Sequence, residues 1–219
     1  MVRKLFDAFE FFNELDVLEI RLNTLYDVVD GFIISESIKS HTGNPKPLYF
    51  QENKNRFKKF LPKIIHQVIT DTPENYITLS EDDGRDELHK IAIRKVMGDN
   101  FWNHNELPYS RDAFEKESLI RAMGICSPDD IVMVEDADEI PNPEAIEEIK
   151  NNFDPDLIYN LRNRHYWFYL NCLKDDDWIG STLLTFKKFK TVSVCGLRKY
   201  RRGKIIENGG WHFSFLHNN

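Results

Sequence analysis

The segment 131–140 constrains the fold of this chain more than any other part of the sequence. Its four apolar residues, Ile-Val-Met-Val, run directly into the acidic stretch Glu-Asp-Ala-Asp-Glu. An apolar run bounded by turn-forming residues, here 128–130 before it and 141–143 after it, predicts a strand buried on both faces. Such strands belong to layered α/β folds, in which ligands bind at the carboxyl ends of the strands. The acidic cluster is therefore expected at a ligand-binding edge of a sheet.

Asp136 and Asp138 form the most informative pair in this cluster. If the chain stays extended there, both side chains point to the same side, because side chains alternate along a strand. Two adjacent carboxylates repel unless a proton or a cation lies between them, and oxygen ligands suit Mg²⁺ or Mn²⁺. The pattern thus predicts a divalent metal site that could carry a phosphate-bearing substrate. The alternative interpretation is a solvated turn, with Asp136 capping a helix that starts near Pro143.

Composition and charge limit the class of protein. With 219 residues and a net charge of −7, the chain is expected to form one domain without a basic surface for nucleic acid. Its one dense basic stretch, 198–202, is interpreted as a solvated hairpin that could also meet a diphosphate. Three widely spaced cysteines favour reduced thiols over a disulfide framework or a zinc site. No apolar run is long enough to span a membrane and no signal-peptide core is present, so we expect a cytoplasmic or otherwise intracellular soluble protein.

Hydrophobic periodicity predicts alternating strands and helices up to residue 152. Strands are predicted at 5–12, 32–37, 63–70 and 131–134, and helices at 13–28, 52–60, 86–97, 112–123 and 142–152. Asn13 is the predicted N-cap of the first helix. The order strand, helix, strand at the start of the chain is that of a right-handed βαβ unit with parallel strands.

The hydrophobic pattern of the sequence changes beyond Pro155. The segment 157–170 is long, aromatic and alternating, which predicts a strand, and further strands are predicted at 182–186 and 191–194. Aromatic residues interleaved with Arg, Asn and His suit either core packing or stacking against sugars. We therefore predict an α/β protein with a Rossmann-like N-terminal half, a mixed central sheet and a more antiparallel C-terminal half.

Six stretches, in collinear order, resemble the glycosyltransferase family of β-1,4-mannosyl-glycoprotein 4-β-N-acetylglucosaminyltransferase, which adds bisecting N-acetylglucosamine. They are residues 11–22, 29–37 and 42–50, the pair Glu117 and Arg121, 136–141, and 209–214. Glu135 and Ala137 stand where Ser and Val are commoner in that family, and neither change removes a carboxylate. Phe114 stands where Trp is usual.

The resemblance implies a single GT-A-like domain over 1–219, with a nucleotide-sugar-binding half at 1–141 and an acceptor-side half at 142–219. It implies an inverting transfer of N-acetylglucosamine or another hexose from a UDP-sugar to a glycan acceptor. It also implies a bound Mn²⁺ or Mg²⁺ held by Asp136 and Asp138. The expected partners are thus a nucleotide sugar and a glycan.

The resemblance also suggests roles for residues outside the Asp-x-Asp pair. His212 is the expected third metal ligand, and the alternative is a packed histidine beside Trp211. The expected catalytic base is Asp177, with Glu139 as the second candidate, and the alternative is that 175–177 is a solvated acidic turn.

Five residues are expected on the donor side of the cleft: Asn13, Glu14, Glu36, Glu117 and Arg121. Asn13 and Glu14 suit the nucleotide end, because they follow the first predicted strand. Glu117 and Arg121 lie one helical turn apart, so the alternative is that they pair with each other.

Two other classes of protein remain open on the residues alone. Phosphohydrolases with an aspartyl nucleophile also place Asp-x-Asp after a strand, but they require Thr or Val where Ile140 stands. A non-catalytic sugar-binding module could use the same carboxylates to hold a structural ion.

Overall fold

A mixed sheet of eight strands runs through the molecule. The computed structural model describes residues 3–98 and 105–216. The strands are β1 (Leu5–Glu10), β2 (Gly31–Ser37), β3 (Ile64–Ile69), β4 (Ile131–Asp136), β5 (Glu139–Pro141), β6 (Tyr159–Trp167), β7 (Leu173–Thr185) and β8 (Lys204–Ser214). Their order across the sheet is β3-β2-β1-β4-β7-β6-β8-β5. The α/β class with one mixed sheet, predicted from the sequence, is confirmed.

Seven α-helices lie among the described residues: α1 (Leu15–Leu25), α2 (Tyr49–Glu52), α3 (Glu87–Gly98), α4 (Leu107–Ser118), α5 (Pro143–Asn151), α6 (Phe186–Phe189) and α7 (Val194–Tyr200). Short 3₁₀ turns occupy Leu61–Lys63, Glu81–Asp83 and Leu119–Ile125. None of the described helices has the length and apolar character needed to cross a bilayer.

The N-terminal half of the sheet is parallel, as predicted. Strand β1 pairs with β2 on one side and with β4 on the other, and β2 pairs with β3, all in parallel. Along β4, Ile131 and Met133 join the core on one face of the sheet, and Val132 and Val134 join the core on the other. This alternation explains the continuous apolar run, since helices and loops cover both faces.

The chain turns directly after β4, and this corrects the expectation of an extended Asp-x-Asp segment. Strand β4 ends at Asp136, residues 137–138 form a turn, and β5 begins at Glu139. The side chains of Asp136 and Asp138 therefore do not follow the alternation of one strand. The cap of α5 is Asn142, whose side chain accepts from the Glu144 N–H, so Asp136 is not needed as a cap.

Other element predictions were wrong in detail. Glu14, not Asn13, occupies the N-cap position of α1, and no side chain caps that helix. The predicted helix 52–60 is instead a run of turns that follows the short helix α2. The predicted helix 112–123 begins earlier, at Leu107, and continues as 3₁₀ after Ser118. The predicted strand 191–194 is instead a turn leading into α7, where Ser193 caps the helix.

The C-terminal half of the sheet adds antiparallel pairs. Strand β7 runs antiparallel to β4 and β6, and β8 lies between β6 and β5. Close approach of β8 to β5 requires glycine at Gly210: its φ is +149°, and a Cβ there would lie 2.3 Å from the Ile140 carbonyl oxygen. The late segment 204–214 is thereby brought back to the carboxyl end of β4.

Candidate functional site

A cleft of about 510 Å³ opens at the carboxyl ends of β1 and β4. Its walls include Asp136 and Asp138 from the end of β4, Glu10 from the end of β1, and Glu14 from the start of α1. His41 and Glu115 close another side. The cleft has the size and position of a ligand site in an open α/β sheet.

Asp138 and His212 meet at the edge of this cleft. The Asp138 Oδ2 lies 3.5 Å from His212 Nε2. The backbone makes this contact possible, because Glu139 and His212 are partners in the β5–β8 pair and the Phe213 N–H donates to the Asp138 carbonyl. Burial raises the pKa of Asp138, and the hydrogen bond and charge of His212 offset only part of that effect.

The His212 ring is held by its neighbours. It stacks on His165 with ring centroids 4.4 Å apart and packs against Trp178 at 4.3 Å. The Ser214 hydroxyl lies 3.0 Å from His212 Nε2 and 2.9 Å from His165 Nε2, which bridges the two rings. These contacts fix the plane of the His212 ring before any ligand binds.

Asp136 faces a different set of partners. Its Oδ2 accepts a hydrogen bond from Arg198, and its Oδ1 lies 3.9 Å from Lys116 Nζ. Its Oδ1 is buried and has no hydrogen-bond partner among the described residues. Arg198 belongs to the basic stretch that was predicted to be a solvated hairpin; the stretch is instead the end of α7, and only 12% of the Arg198 side chain is exposed.

The donor set fits a divalent cation in chemistry and partly in geometry. Two ligands bound to one ion at about 2.0–2.6 Å lie roughly 3–4 Å apart, which matches the Asp138–His212 separation. The free Oδ1 of Asp136 offers a further oxygen, but its carboxylate would have to turn from Arg198 to join the pair. Among the described residues, the three ligand groups whose atoms all lie within 4.8 Å of one another are instead Glu10, His41 and Asp112.

The Glu10 group already contains its own cations. Lys116 Nζ lies 3.0 Å from Glu10 and also contacts Asp112. Burial alone would lower the pKa of His41, but the hydrogen bond to Glu115 and nearby carboxylate charges raise it to about 9. Burial raises the pKa of Glu10 to about 7, against the opposing charge of Lys116. Lys116 and the protonated His41 therefore balance the carboxylates of this group, which forms a charge cluster beside the cleft.

Glu139 is buried and fully engaged, which argues against its predicted role as the base. Its carboxylate accepts from Trp178 Nε1 at 2.7 Å, from Arg198 at 2.9 Å and from the Asp136 N–H at 3.2 Å. Burial alone would raise its pKa, but the charge and hydrogen bonds of Arg198 lower the pKa to about 2. A carboxylate this acidic and enclosed is a poor proton acceptor. Its contacts instead position Asp136 and Arg198.

Asp177, the other predicted catalytic base, lies on the face of β7 that points away from the cleft. The neighbouring Trp178 faces Glu139 and His212, and adjacent side chains in a strand point to opposite faces. Accordingly, Asp177 is 70% exposed and pairs with Arg162. In this position Asp177 does not reach the cleft, and the solvated alternative describes it better.

Arg21 of α1 holds the turn after β4. This role was not predicted from the sequence. Its fully buried guanidinium donates to both Asp7 oxygens, at 2.6 and 2.9 Å, and contacts Glu135. It also donates to the carbonyls of residues 136, 137 and 139, the last at 2.5 Å. The signal was Glu135, a charged residue inside an apolar strand, since a buried carboxylate requires a buried cation.

Glu117 and Arg121 neither pair with each other nor lie in the cleft. Glu117 is fully buried, and its Oε1 accepts from the Val194 N–H at 2.6 Å at the start of α7. Arg121 instead makes two hydrogen bonds to Asp71, at 3.0 and 3.1 Å. Their expected donor contacts are therefore corrected: Glu117 anchors the helix that carries Arg198, and Arg121 ties the 3₁₀ turn after α4 to the loop after β3.

The three remaining residues predicted on the donor side are Glu36, Glu14 and Asn13, and only the last two lie where a ligand could reach them. Glu36 is fully buried, accepts from the Phe50 N–H at 2.9 Å and lies 3.0 Å from His66, so its side chain is not available to a ligand. Glu14 lines the main cleft. Asn13 is exposed and lines a smaller cavity with Asp138. These two remain candidates for substrate contact.

The fold and the cleft define an α/β protein whose ligand site lies at the carboxyl ends of parallel strands. Comparison with known proteins identifies the family. The model of glycosyltransferase family 17 matches residues 1–97 and 85–219. The chain therefore belongs to glycosyltransferase family 17. This assignment removes the phosphohydrolase alternative.

Three curated relatives are each named β-1,4-mannosyl-glycoprotein 4-β-N-acetylglucosaminyltransferase. The rat protein is 25% identical over 171 residues, which cover 76% of this chain and 27% of the relative. The human protein is 25% identical with coverage of 76% and 28%, and the mouse protein is 24% identical with coverage of 76% and 27%. The chain thus spans about a quarter of the length of these relatives.

Proposed function

We propose that this chain transfers N-acetylglucosamine, or another hexose, from a UDP-sugar to a hydroxyl of a glycan acceptor, with inversion and with the help of Mn²⁺ or Mg²⁺. The observation that carries the proposal is the Asp138–His212 pair at the edge of the cleft. The names of the relatives support the sugar and the glycan acceptor. The GT-A type of the fold, in which a metal site follows a parallel strand, is part of this proposal.

In the proposed site, Asp138 and His212 would hold the cation, and Asp136 would offer its unpartnered oxygen as a further ligand. The ion would supply Lewis-acid stabilisation to the leaving diphosphate. Arg198 and Lys116 lie on either side of Asp136 and can donate to phosphate oxygens. Glu139 and Arg21 keep the turn in place, so these donors are positioned before the substrate arrives.

The test is transfer from a panel of UDP-sugars. UDP-N-acetylglucosamine, UDP-glucose and UDP-galactose are each incubated with a mannosyl-chitobiose acceptor and MnCl₂, with and without excess EDTA. We expect a β-linked product from one donor, abolished by EDTA and by Asp138→Asn, while Asp177→Asn retains transfer. Unchanged transfer in EDTA would exclude the metal, an α-linked product would exclude inversion, and no transfer from any of the three would defeat the donor assignment.

A further inference from the structure

A second groove adjoins the cleft and shares Glu14 with it. It has a volume of about 410 Å³ and lies between the first turns of α1 and the connection from β6 to β7. One wall is polar and includes Asn13, Asp16 and Arg56; the other is apolar and is formed by residues 168–170 with Leu216. Its volume is in the range of pockets that bind drug-sized ligands.

The apolar wall exposes large side chains to solvent. Phe168 is 56% exposed and Tyr169 is 69% exposed. Phe168 stacks on Phe215, which is also 56% exposed, with ring centroids 5.7 Å apart and an interplanar angle of 26°. A contiguous exposed aromatic surface beside a cleft marks an interaction site, because soluble proteins rarely leave such patches uncovered.

The backbone holds this wall in an unfavourable conformation. Phe168 and Phe215 have φ values of +62° and +60°, a region that bulky residues seldom adopt. Two hydrogen bonds maintain it: the Phe168 N–H donates to the Ser214 carbonyl at 3.1 Å, and the Tyr169 N–H donates to the Trp167 carbonyl at 2.7 Å. The exposed aromatic rings thus lie on backbone that is held by hydrogen bonds.

The groove leads to the candidate metal ligands. Glu14 lines both the groove and the main cleft. A small cavity of about 130 Å³ shares Glu14 and Asp138 with the cleft and shares Asn13 and Leu216 with the groove. A molecule that extends from the groove through this cavity would have one end next to Asp138.

We propose that this groove binds the acceptor, a neutral oligosaccharide whose terminal residue reaches Asp138. This inference rests on the proposed function. A sugar ring has an apolar face that packs on aromatic rings and a rim of hydroxyls that bond to carboxylate, amide and guanidinium groups. The groove offers Tyr169 on one side and the ion pair of Asp16 and Arg56 on the other. The carboxylates of Glu14 and Asp16 disfavour an anionic membrane surface as the occupant.

The test measures binding without turnover. Mannotriose, chitotriose and cellotriose are titrated into the protein without donor, and binding is followed by saturation-transfer NMR and calorimetry. Tyr169→Ala is compared with Tyr109→Ala, because Tyr109 is also a well-exposed tyrosine, at 60%, and lies on α4 outside the groove. We expect Tyr169→Ala to weaken binding of the best trisaccharide at least tenfold and Tyr109→Ala to leave it unchanged. Affinity for UDP with Mn²⁺ should not change in either variant.

The results that would contradict this inference differ from the result that would contradict the proposed function. Equal binding by Tyr169→Ala and wild type, or no binding of any trisaccharide to wild type at 10 mM, would overturn the inference. If Tyr169→Ala keeps trisaccharide binding but reduces partitioning onto phosphatidylcholine vesicles, the wall is a membrane contact and the inference is wrong. Trisaccharide binding that depends on Tyr169, without transfer from any UDP-sugar, would defeat the proposed function while leaving the groove assignment standing.

Discussion

His212 Nε2 lies 3.5 Å from Asp138 Oδ2, although the two residues are far apart in the sequence. The contact exists because β8 pairs with β5 directly after the turn that carries Asp138. Stacking on His165 and packing against Trp178 hold the histidine ring in place. The cation site proposed here depends on this pair, and the first prediction tests it.

Asp138→Asn is expected to weaken Mn²⁺ binding more than His212→Ala, because it removes a negative charge as well as a ligand. Both losses should be at least the ~10–100-fold seen when outer-shell partners of a metal are removed. Calorimetric titration of MnCl₂ into each variant measures this, and circular dichroism checks that the fold is retained. Asp177→Asn is the matched control, since its carboxylate is exposed on the other face. Wild-type Mn²⁺ affinity in Asp138→Asn would contradict the site.

Arg21→Met is expected to destabilise the protein by ~3–5 kcal/mol, the usual effect of leaving a buried charge unpaired. The variant keeps most of the side-chain volume but leaves Asp7 and Glu135 without their cation. Urea denaturation gives the free energy of unfolding. Arg94→Met is the control, because Arg94 is 55% exposed and its solvent-screened pair with Glu81 should contribute little to stability. Equal losses in the two variants would show that the buried network does not hold the turn.

His41 should make the free energy of unfolding fall as the pH rises above neutrality. Its pKa is about 9 in the folded protein, because contacts with Glu115, Glu10 and Asp112 outweigh its burial, and about 6.5 in an unfolded chain. Between those values the folded state binds more protons than the unfolded state, so stability is lost as the pH rises through this window. The effect is expected to be small, since 42% of the side chain is exposed.

The measurement compares wild type and His41→Gln by urea denaturation at pH 6, 7.5 and 9. The stability difference between them should shrink as the pH increases. His89→Gln is the control: burial and the charge of Arg121 lower the pKa of His89, so its contribution changes only below about pH 6.5. A stability difference for His41→Gln that grows with pH would have the wrong sign for this cluster.

Glu117→Ala is expected to loosen the start of α7 and cost ~1.5–3 kcal/mol, the range for hydrogen bonds to a charged group. The backbone N–H groups of Val194 and Cys195 would lose their acceptor. Hydrogen exchange of the peptide 193–200 should therefore accelerate, while Glu117→Gln, which keeps an acceptor oxygen, should show a smaller change. Glu147→Ala, on the exposed face of α5, serves as the control. Unchanged exchange in Glu117→Ala would mean that this carboxylate does not anchor the helix.

Local pattern was sufficient for the strand that organises the fold. The run Ile131 to Val134 specifies burial on both faces, because every residue in it is apolar, and burial on both faces requires a layered α/β arrangement. The parallel β1–α1–β2 unit followed from strand and helix periods over a short stretch of chain. The position of the cleft followed as well, since carboxyl ends of parallel strands meet at one edge of the sheet.

Contacts between distant segments were decided only by the tertiary structure. The turn at 137–138 and the insertion of β8 between β6 and β5 depend on strand pairing between distant segments. The local hydrophobic pattern of a sequence does not specify which distant strands pair. For the same reason, Glu36 and Glu117 resembled ligand-facing carboxylates in sequence but are buried acceptors of backbone N–H groups. Arg21 showed the converse: an arginine in a helical pattern reads as solvent-exposed, yet it is fully buried because two buried carboxylates and three carbonyls surround it.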